Sequence, residues 1–179
     1  TQITLQNTQN DTASLNYTLT GGTFALLDST TIAINMSFYD LNQIKKLRGL
    51  ATNGTSDTYI SITSSAIQDM NQNQVTPIQR SNAISVTNIT LDTTNPKLVS
   101  FNFNYNTEQI VLTFTETVDV STLMFDQISI TGYLSTDTYS LTGGSSPSMN
   151  DYIVVIQLDI TDVNNLKKNF ATRRSIGFL

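Results

Sequence analysis

Apolar and polar residues alternate along much of the chain, and this pattern predicts β-strands. In residues 32–38 the large apolar side chains occupy every second position and share one face, while Asn35 lies on the other face. Such alternation is typical of strands that bury one face. Residues 99–105 and 110–114 alternate in the same way, and the short polar segment between them predicts a tight turn. The sequence therefore predicts a fold that is rich in antiparallel strands.

Other patterns refine this picture. Gly21 and Gly22 follow an apolar segment and are predicted to form a hairpin turn. Residues 83–91 are predicted to form a strand with a bulge, since the apolar phase changes between Val86 and Ile89. Apolar residues at helical spacing predict one short helix over residues 40–50 and a second over residues 162–170.

The chain contains one stretch twice. Residues 17–22 return as residues 139–144, and residues 34–46 return as residues 156–168, at the same offset of 122 residues. A shared offset without gaps indicates a tandem repeat. We expect an all-β protein of two tandem immunoglobulin-like β-sandwich units, each with one short helix. The units are predicted over residues 1–91 and 97–179, with the polar segment 92–96 as the linker.

At this offset each unit lacks a part that the other has. The first unit has no counterpart of the N-terminal hairpin formed by residues 97–115, and the second has no counterpart of the closing strand 83–91. A sandwich without a strand exposes an apolar groove and an unpaired sheet edge, which folded proteins avoid. Two explanations stay open: the sequence is a window on a longer chain, or neighbouring subunits complete each other's sheets by strand donation.

Composition limits the chemistry. The chain has no His, Cys or Trp, so the commonest general base, the thiol nucleophile and the usual soft metal ligands are missing. We expect no enzyme and no catalytic, cofactor or metal site. The net charge of −5 argues against a nucleic-acid partner. No apolar stretch reaches membrane-spanning length.

Two groups of oxygen ligands are candidate metal sites. Asp69, Asn71 and Asn73 alternate as at the start of a calcium-binding loop, but the glycine and the acidic residue expected later in such a loop are missing. A polar turn is the favoured interpretation. Glu116 and Asp119 could act as a carboxylate pair or join Asp92 at a domain junction to hold calcium, but solvated loop carboxylates are favoured.

Candidate modification and contact residues remain. Five Asn-x-Ser/Thr sequences occur, at Asn10, Asn16, Asn35, Asn53 and Asn88. This number is what random placement gives, but Asn35 and Asn53 are expected to face solvent and could carry N-linked glycans after a eukaryotic secretory route. Ile153 and Val155 occupy the outward face of a strand whose counterpart in the first unit carries Thr31 and Ala33. Both are candidates for an assembly surface.

Three stretches carry a family resemblance. Residues 112–123 resemble a strand and loop of bacterial-type immunoglobulin-like tandem repeat domains, residues 69–75 resemble a turn near the end of those domains, and residues 92–96 resemble their linker. Residues 17–22 and 40–45 resemble the variant found in giant extracellular proteins of protists and algae, some of them filament or flagellar-hair components. Thr117 and Gln72 depart from the pattern, which has Pro and Gly there.

The resemblance implies a stalk, adhesin or fibre subunit outside the cell or at its surface. We expect a structural subunit of an extracellular filament or stalk that assembles head-to-tail with copies of itself, with β-strand donation as one route. The alternative is an immunoglobulin-like adhesin or carbohydrate-binding module of a large cell-surface protein.

Overall fold

The computed structural model describes residues 2–10, 15–132 and 138–171. In this part of the chain, most regular structure is β-strand in several antiparallel sheets, with two α-helices and a few short 3-10 turns. This is compatible with the expected all-β class. The chain divides into two compact units, Thr1–Asn95 and Pro96–Leu179. Thr1 and residues 172–179, which the expected units include, lie outside the described residues.

Within its described residues, the first unit contains six strands and one α-helix. They are β1 (Ile3–Gln6), β2 (Asn16–Thr18), β3 (Gly22–Leu26), β4 (Ile32–Met36), α1 (Phe38–Lys46), β5 (Tyr59–Ile62) and β6 (Ile84–Ser85). One sheet has the strand order β2-β1-β5-β6, and β3 and β4 form a second, two-stranded sheet. The buried core of this unit is small and consists of Leu19, Ile44 and Leu50.

The second unit contains five strands and one helix within the described residues. They are β7 (Leu98–Asn104), β8 (Gln109–Val118), β9 (Ser129–Thr131), β10 (Thr138–Ser140), β11 (Asp151–Gln157) and α2 (Ile160–Ala171). The strand order is β11-β8-β7 in one sheet, and β9 pairs with β10 in another. The core is larger than that of the first unit and comprises Ile110, Leu112, Leu141, Val154, Ile156, Leu158, Val163 and Leu166.

The hairpin predicted from the alternation after residue 97 is confirmed. β7 and β8 pair antiparallel, with Phe101 opposite Leu112 and Phe103 opposite Ile110. The turn between them contains Glu108 at a φ of 57°. Strand alternation is a local property of the sequence, so both strands and their shared face follow from it directly.

The prediction of a hairpin turn at Gly21 and Gly22 was wrong. β2 pairs with β1, whereas β3 pairs with β4, so the two glycines connect different sheets. Gly22 has a φ of +136°, and a Cβ there would collide with the backbone carbonyl oxygen of Asn35. Glycine is therefore required at this position because β3 and β4 approach each other closely there, and not because of a two-residue turn.

The bounds of three predicted elements also need correction. Residues 83–91 form a strand only at Ile84–Ser85, because pairing with β5 ends after the Val86 N–H donates to the Thr58 carbonyl. The first helix begins at Phe38 instead of residue 40, since the Ser37 side chain caps it by accepting from the Asp40 N–H. It ends at Lys46, four residues before the predicted end, and α2 extends beyond its predicted range at both ends.

Candidate assembly surface

A buried aspartate joins a strand end to a helix in each unit. In the first unit, the Asp40 carboxylate is fully buried and accepts hydrogen bonds from the Tyr17 hydroxyl (2.7 Å), the Thr20 hydroxyl (2.7 Å) and the N–H groups of Thr20 and Gly21. The carboxylate lies in the first turn of α1, where the helix dipole also favours negative charge. This cluster fixes the segment after β2 against the start of the helix.

The second unit repeats the cluster with the equivalent residues. Asp162 is fully buried and accepts from the Tyr139 hydroxyl (2.8 Å), the Thr142 hydroxyl (2.7 Å) and the N–H groups of Thr142 and Gly143. The same donors thus recur at the repeat offset. We call each cluster an aspartate anchor.

The hydrogen bonds decide the ionisation of both anchors. Burial raises the pKa of the Asp40 carboxyl, but the hydrogen bonds from Thr20, Tyr17 and Gly21 together outweigh it and hold the pKa well below its usual range. The pKa of Asp162 is lowered in the same way. Burial and the hydrogen bond to Asp40 raise the pKa of Tyr17 to about 12. Both aspartates are therefore ionised at neutral pH, and their tyrosines are neutral donors.

Sequence reasoning did not single out either aspartate. Both lie within the repeated stretches, together with their Tyr, Thr and Gly donors at identical spacing. A carboxylate that recurs with its donors at the repeat offset was the signal that could have found them.

The inner face of β4 is exposed, although its repeat counterpart is buried. Ile32, Ile34 and Met36 are 39%, 46% and 41% exposed. Their counterparts 122 residues later are Val154, Ile156 and Leu158, which are 1%, 0% and 4% exposed. The pattern is the same in the helices, since Leu41 is exposed and its counterpart Val163 is buried. The same apolar pattern is therefore buried in the second unit and exposed in the first.

β8 is the strand that pairs with β11 in the second unit. Its residues Ile110 and Leu112 lie opposite Ile156 and Val154, and all four belong to a buried core that also includes Leu141 and two residues of α2, Val163 and Leu166. In the first unit, β4 pairs with β3, and no second strand pairs with β4 among the described residues.

An open groove of about 590 Å³ follows the exposed face of β4. Its apolar walls come from both sheets of the first unit: Phe24, Ile32 and Ile34 on one side, and Ile3, Ile60 and Ile62 on the other. We call this the β4 groove.

The backbone of β4 also presents N–H and C=O groups along the edge that does not pair with β3. The Leu27 N–H donates to the Thr31 carbonyl, and Thr23 lies opposite Asn35 in the same antiparallel ladder. Hydrogen-bonding residues alternate along an antiparallel strand. The backbone N–H and C=O groups that point to β3 are therefore those of Thr31, Ala33 and Asn35. The opposite edge of β4 carries the backbone groups of Ile32, Ile34 and Met36.

The second unit has a different incomplete edge. In the first unit, β1 lies between β2 and β5, with Leu5 opposite both Tyr17 and Ile60. Its counterpart β9 pairs with β10 through Ile130 and Tyr139, and no further strand pairs with β9 among the described residues. Phe101 shares the inner face of Leu112 and is nevertheless 55% exposed. Among the described residues, the second unit thus has no strand beside β9 in the place that β5 takes beside β1 in the first unit.

The candidate glycosylation asparagines and the candidate assembly residues differ in exposure. All five sequon asparagines, namely Asn10, Asn16, Asn35, Asn53 and Asn88, have exposed side chains, although Thr12 of the first sequon lies outside the described residues. Ile153 is 41% exposed, whereas Val155 is half-buried. The backbone of Val155 accepts from the Ser146 hydroxyl and donates to the Ser148 hydroxyl. The structure therefore does not bring Ile153 and Val155 together as one exposed apolar patch.

Asp69 and Asp119 form hydrogen bonds within their own turns. The Asp69 carboxylate accepts from the N–H groups of Asn71 and Asn73 and from the Asn73 side chain. The pKa of Asp69 is lowered by these hydrogen bonds, and the largest contribution comes from the Asn73 side chain. Asp119 caps a short 3-10 turn by accepting from the Ser121 N–H and hydroxyl. The expectation of a solvated loop carboxylate was wrong for Glu116, which lies within β8 and is buried. Within the described part of the chain, no three His, Cys, Asp or Glu side chains are grouped as a metal site.

Three phenylalanine side chains are exposed. Phe24, Phe38 and Phe101 are each more than half exposed. Phe24 lines the β4 groove and Phe101 lies on the inner face of β7, so both belong to the incomplete faces. Neither described helix is long and apolar enough to cross a membrane.

The chain matches no protein-family model, no curated protein and no solved structure. A functional assignment therefore rests on the geometry of the two units.

Proposed function

We propose that this chain is a structural subunit of an extracellular filament or stalk. Its two units are immunoglobulin-like sandwiches that neighbouring subunits complete by donating β-strands. The observation that carries the proposal is the contrast between β4, whose inner face is exposed, and β11, whose equivalent residues are buried.

The apolar area left open at β4 sets the energy that a partner could recover. Fully burying an exposed Val-, Leu- or Ile-sized side chain contributes roughly 1.5–3 kcal/mol. Because Ile32, Ile34 and Met36 are 39%, 46% and 41% exposed, covering them would contribute about 2–4 kcal/mol before the entropy of association is subtracted. A donated strand would also pair with the backbone groups along this edge, as in β-strand addition.

The two units are incomplete in complementary ways. The first has β5 and β6 but no strand in the place of β8, and the second has β7 and β8 but no strand in the place of β5, within the described residues. Contacts between unlike faces are head-to-tail, and they build open filaments where the rotation between subunits does not close a ring. The exposed sequon asparagines support a surface outside the cell, where N-linked glycans occur.

Immunogold labelling of native material tests the proposal. Antibodies against residues 1–179 should label fibres at regular intervals in negative-stain electron micrographs. Labels confined to isolated particles, or to the cell interior, would contradict the proposal.

A carbohydrate-binding module is the second candidate. Phe38 and Tyr39 are adjacent at the start of α1, and both are 54% exposed. Exposed aromatic rings are a common platform for sugars, since they offer apolar area with little conformational entropy to lose. A glycan array probed with the intact chain separates this candidate from the first. Binding that disappears in a Phe38→Ala, Tyr39→Ala variant would favour it.

A further inference from the structure

We propose that Asn53 is a self-modification site, which loses its side-chain amide to the backbone nitrogen of Gly54 and becomes aspartate and isoaspartate. These two residues form the one Asn-Gly sequence in the chain, and they lie in the loop between α1 and β5. The inference goes beyond the proposed function and does not depend on it, because the chemistry takes place within one chain and needs only water.

The reaction has two steps. The Gly54 nitrogen gives up its proton and attacks the Cγ atom of Asn53, so that a new C–N bond closes a five-membered succinimide ring and Nδ2 leaves as ammonia. Water then opens the ring. Cleavage at one ring carbonyl gives aspartate, and cleavage at the other gives isoaspartate, in which the backbone runs through Cγ. A Cβ on the attacking residue hinders the close approach, and glycine has none.

The structure leaves both reacting groups free. The Asn53 side chain is exposed, and its amide makes no hydrogen bond with any described residue. The Gly54 N–H has no acceptor among the described residues either, and a Cβ added to Gly54 would meet nothing within 4 Å. No hydrogen bond to the nitrogen or to the side-chain amide therefore has to break before the attack.

The surrounding loop permits the rotation that closes the ring. The Asn53 N–H donates to the Asp57 carboxylate at 2.9 Å, and rotation about the Cα–C bond, whose ψ angle is 40°, leaves this N–H in place. The rotation moves the carbonyl groups of Asn53 and Gly54, which accept from the hydroxyls of Ser56 and Thr58. Both hydroxyls keep an acceptor, because Ser56 is exposed to water and Thr58 also lies 3.2 Å from the Asp57 carboxylate.

Asn71 provides the internal comparison. It is exposed in a turn, and its N–H donates to the Asp69 carboxylate at 2.9 Å, as the Asn53 N–H does to the carboxylate of its own loop. The next residue, Gln72, has a φ of 68°, close to the 75° of Gly54. The Gln72 N–H is engaged, however, since it donates to the Asp69 carbonyl at 3.0 Å. The two turns thus differ in the following side chain and in the hydrogen bond of the attacking nitrogen.

A glycan at Asn53 excludes the reaction. The sequon formed by residues 53–55 would carry the sugar on Nδ2, which is the atom that leaves as ammonia. Glycosylation and succinimide formation therefore compete for one atom, and only chains without a glycan at Asn53 undergo the change.

The products alter the loop. Each adds a negative charge at the residue whose N–H donates to Asp57, and isoaspartate also lengthens the backbone by one methylene. The loop is closed by the hydrogen bond from the Ala51 N–H to the Asp57 carbonyl at 3.2 Å, next to Leu50 in the buried core. We expect the isoaspartate form to unfold at a lower temperature than the unmodified chain.

Ageing of the intact chain, produced without glycans and kept at neutral pH and body temperature, tests the proposal. Peptide mapping by mass spectrometry measures aspartate and isoaspartate at every asparagine over several weeks. We expect both products at residue 53, with isoaspartate in excess, and a much slower change at Asn71. The Gly54→Ala variant places a Cβ beside the attacking nitrogen and should abolish the change at residue 53 over the same period.

The Gln72→Gly variant separates the effect of structure from that of sequence. It gives Asn71 a following glycine in a similar backbone conformation, but the attacking N–H still donates to the Asp69 carbonyl. Breaking one hydrogen bond should make residue 71 change about two- to tenfold more slowly than residue 53 in the folded variant. In concentrated urea, where neither turn is formed, the two sites should change at similar rates.

Three outcomes would overturn the inference. Asparagine that persists unchanged at residue 53 would exclude the reaction. Aspartate without isoaspartate would indicate direct hydrolysis of the side chain without a succinimide. Equal rates at residues 53 and 71 in the folded Gln72→Gly variant would show that the free N–H of Gly54 does not select the site.

Discussion

Replacing Asp162 by Asn tests whether the aspartate anchor holds the second unit together. Asn has nearly the same shape as Asp but carries no charge, and it has one acceptor oxygen in place of two. If its oxygen takes the position nearest Tyr139, it keeps the hydrogen bonds from Tyr139 and Thr142. Its NH₂ group then replaces the second carboxylate oxygen, which in the wild type accepts from the Thr142 N–H at 3.0 Å and from the Gly143 N–H at 3.2 Å. The Thr142 N–H keeps the first oxygen as an acceptor, but the Gly143 N–H would face another donor.

The magnitude follows from these contacts. A buried donor without an acceptor costs about 1–3 kcal/mol, and each of the three remaining hydrogen bonds loses about 1 kcal/mol when its acceptor is no longer charged. Since such contributions are not fully additive, we expect Asp162→Asn to lower the free energy of unfolding of the second unit by about 4 kcal/mol.

Urea denaturation followed by far-ultraviolet circular dichroism and tyrosine fluorescence measures the change. With a slope of about 1 kcal/mol per molar urea for a unit of this size, the midpoint should fall by about 4 M, or the unit should be unfolded without urea. The matched control is Asp126→Asn, which removes the same charge from an exposed side chain. It should change the free energy of unfolding by no more than about 0.5 kcal/mol.

The pH dependence provides a second readout. The pKa of Asp162 in the folded chain lies below its ordinary value of 3.8. Stabilisation by the ionised anchor is therefore complete above that value and is lost as the pH falls through the lower, folded-state pKa. The difference in stability between the wild type and Asp162→Asn should shrink as the pH falls below 4. A difference under about 1 kcal/mol at pH 7, or one that stays constant down to pH 2, would refute the role of the charge.

Three further predictions concern single positions. Gln72 has a φ of 68°, so Gln72→Gly should stabilise the first unit by about 0.5–1 kcal/mol in urea denaturation, while Gln74→Gly in the adjacent β-bridge should destabilise it. Gly144→Ala should lower the thermal midpoint of the second unit by several degrees, since a Cβ there would lie 2.8 Å from the Gln157 carbonyl oxygen at a φ of +145°. Intact-mass analysis of native protein before and after deglycosylation should show a shift, with Asn35 or Asn53 occupied; an unchanged mass would contradict N-glycosylation.

Local patterns predicted some elements well. The β7–β8 hairpin follows from alternation on either side of a polar turn, and no distant contact is needed to recognise it. The two helices follow from the spacing of their apolar residues. The ends of the first helix were predicted less well, because the apolar spacing does not show where a local cap such as Ser37 begins the helix. The resembled pattern has Gly at the position of Gln72, and Gln72 adopts the left-handed backbone that favours glycine.

Elements that depend on distant partners were predicted poorly. Gly21 and Gly22 have the sequence of a hairpin turn, but Gly21 donates to Asp40, a residue far along the chain. Residues 83–91 are apolar enough for a strand, but pairing stops where β5 begins. Val155 follows the outward phase of its strand, and its exposure was limited by a segment around Ser146 that the alternation cannot identify.

The candidate surface was predicted in outline only. Comparison of the two repeats predicted that the first unit lacks a hairpin, and this stays a prediction. The structure shows only that Ile32, Ile34 and Met36 on β4 are exposed. The sequence did not identify which backbone groups lie on the open edge, because this depends on the pairing of β3 with β4.

The partners of the aspartate anchors determine how the protein responds to ionic strength. Asp40 and Asp162 are held by hydroxyl and N–H donors, which are neutral, and not by cations. Dissolved salt screens attraction between opposite charges at a surface, as in the ion pair of Lys45 with Asp92, but it has little access to a buried cluster of this kind. The junction between strand and helix should therefore keep its strength from fresh water to sea water.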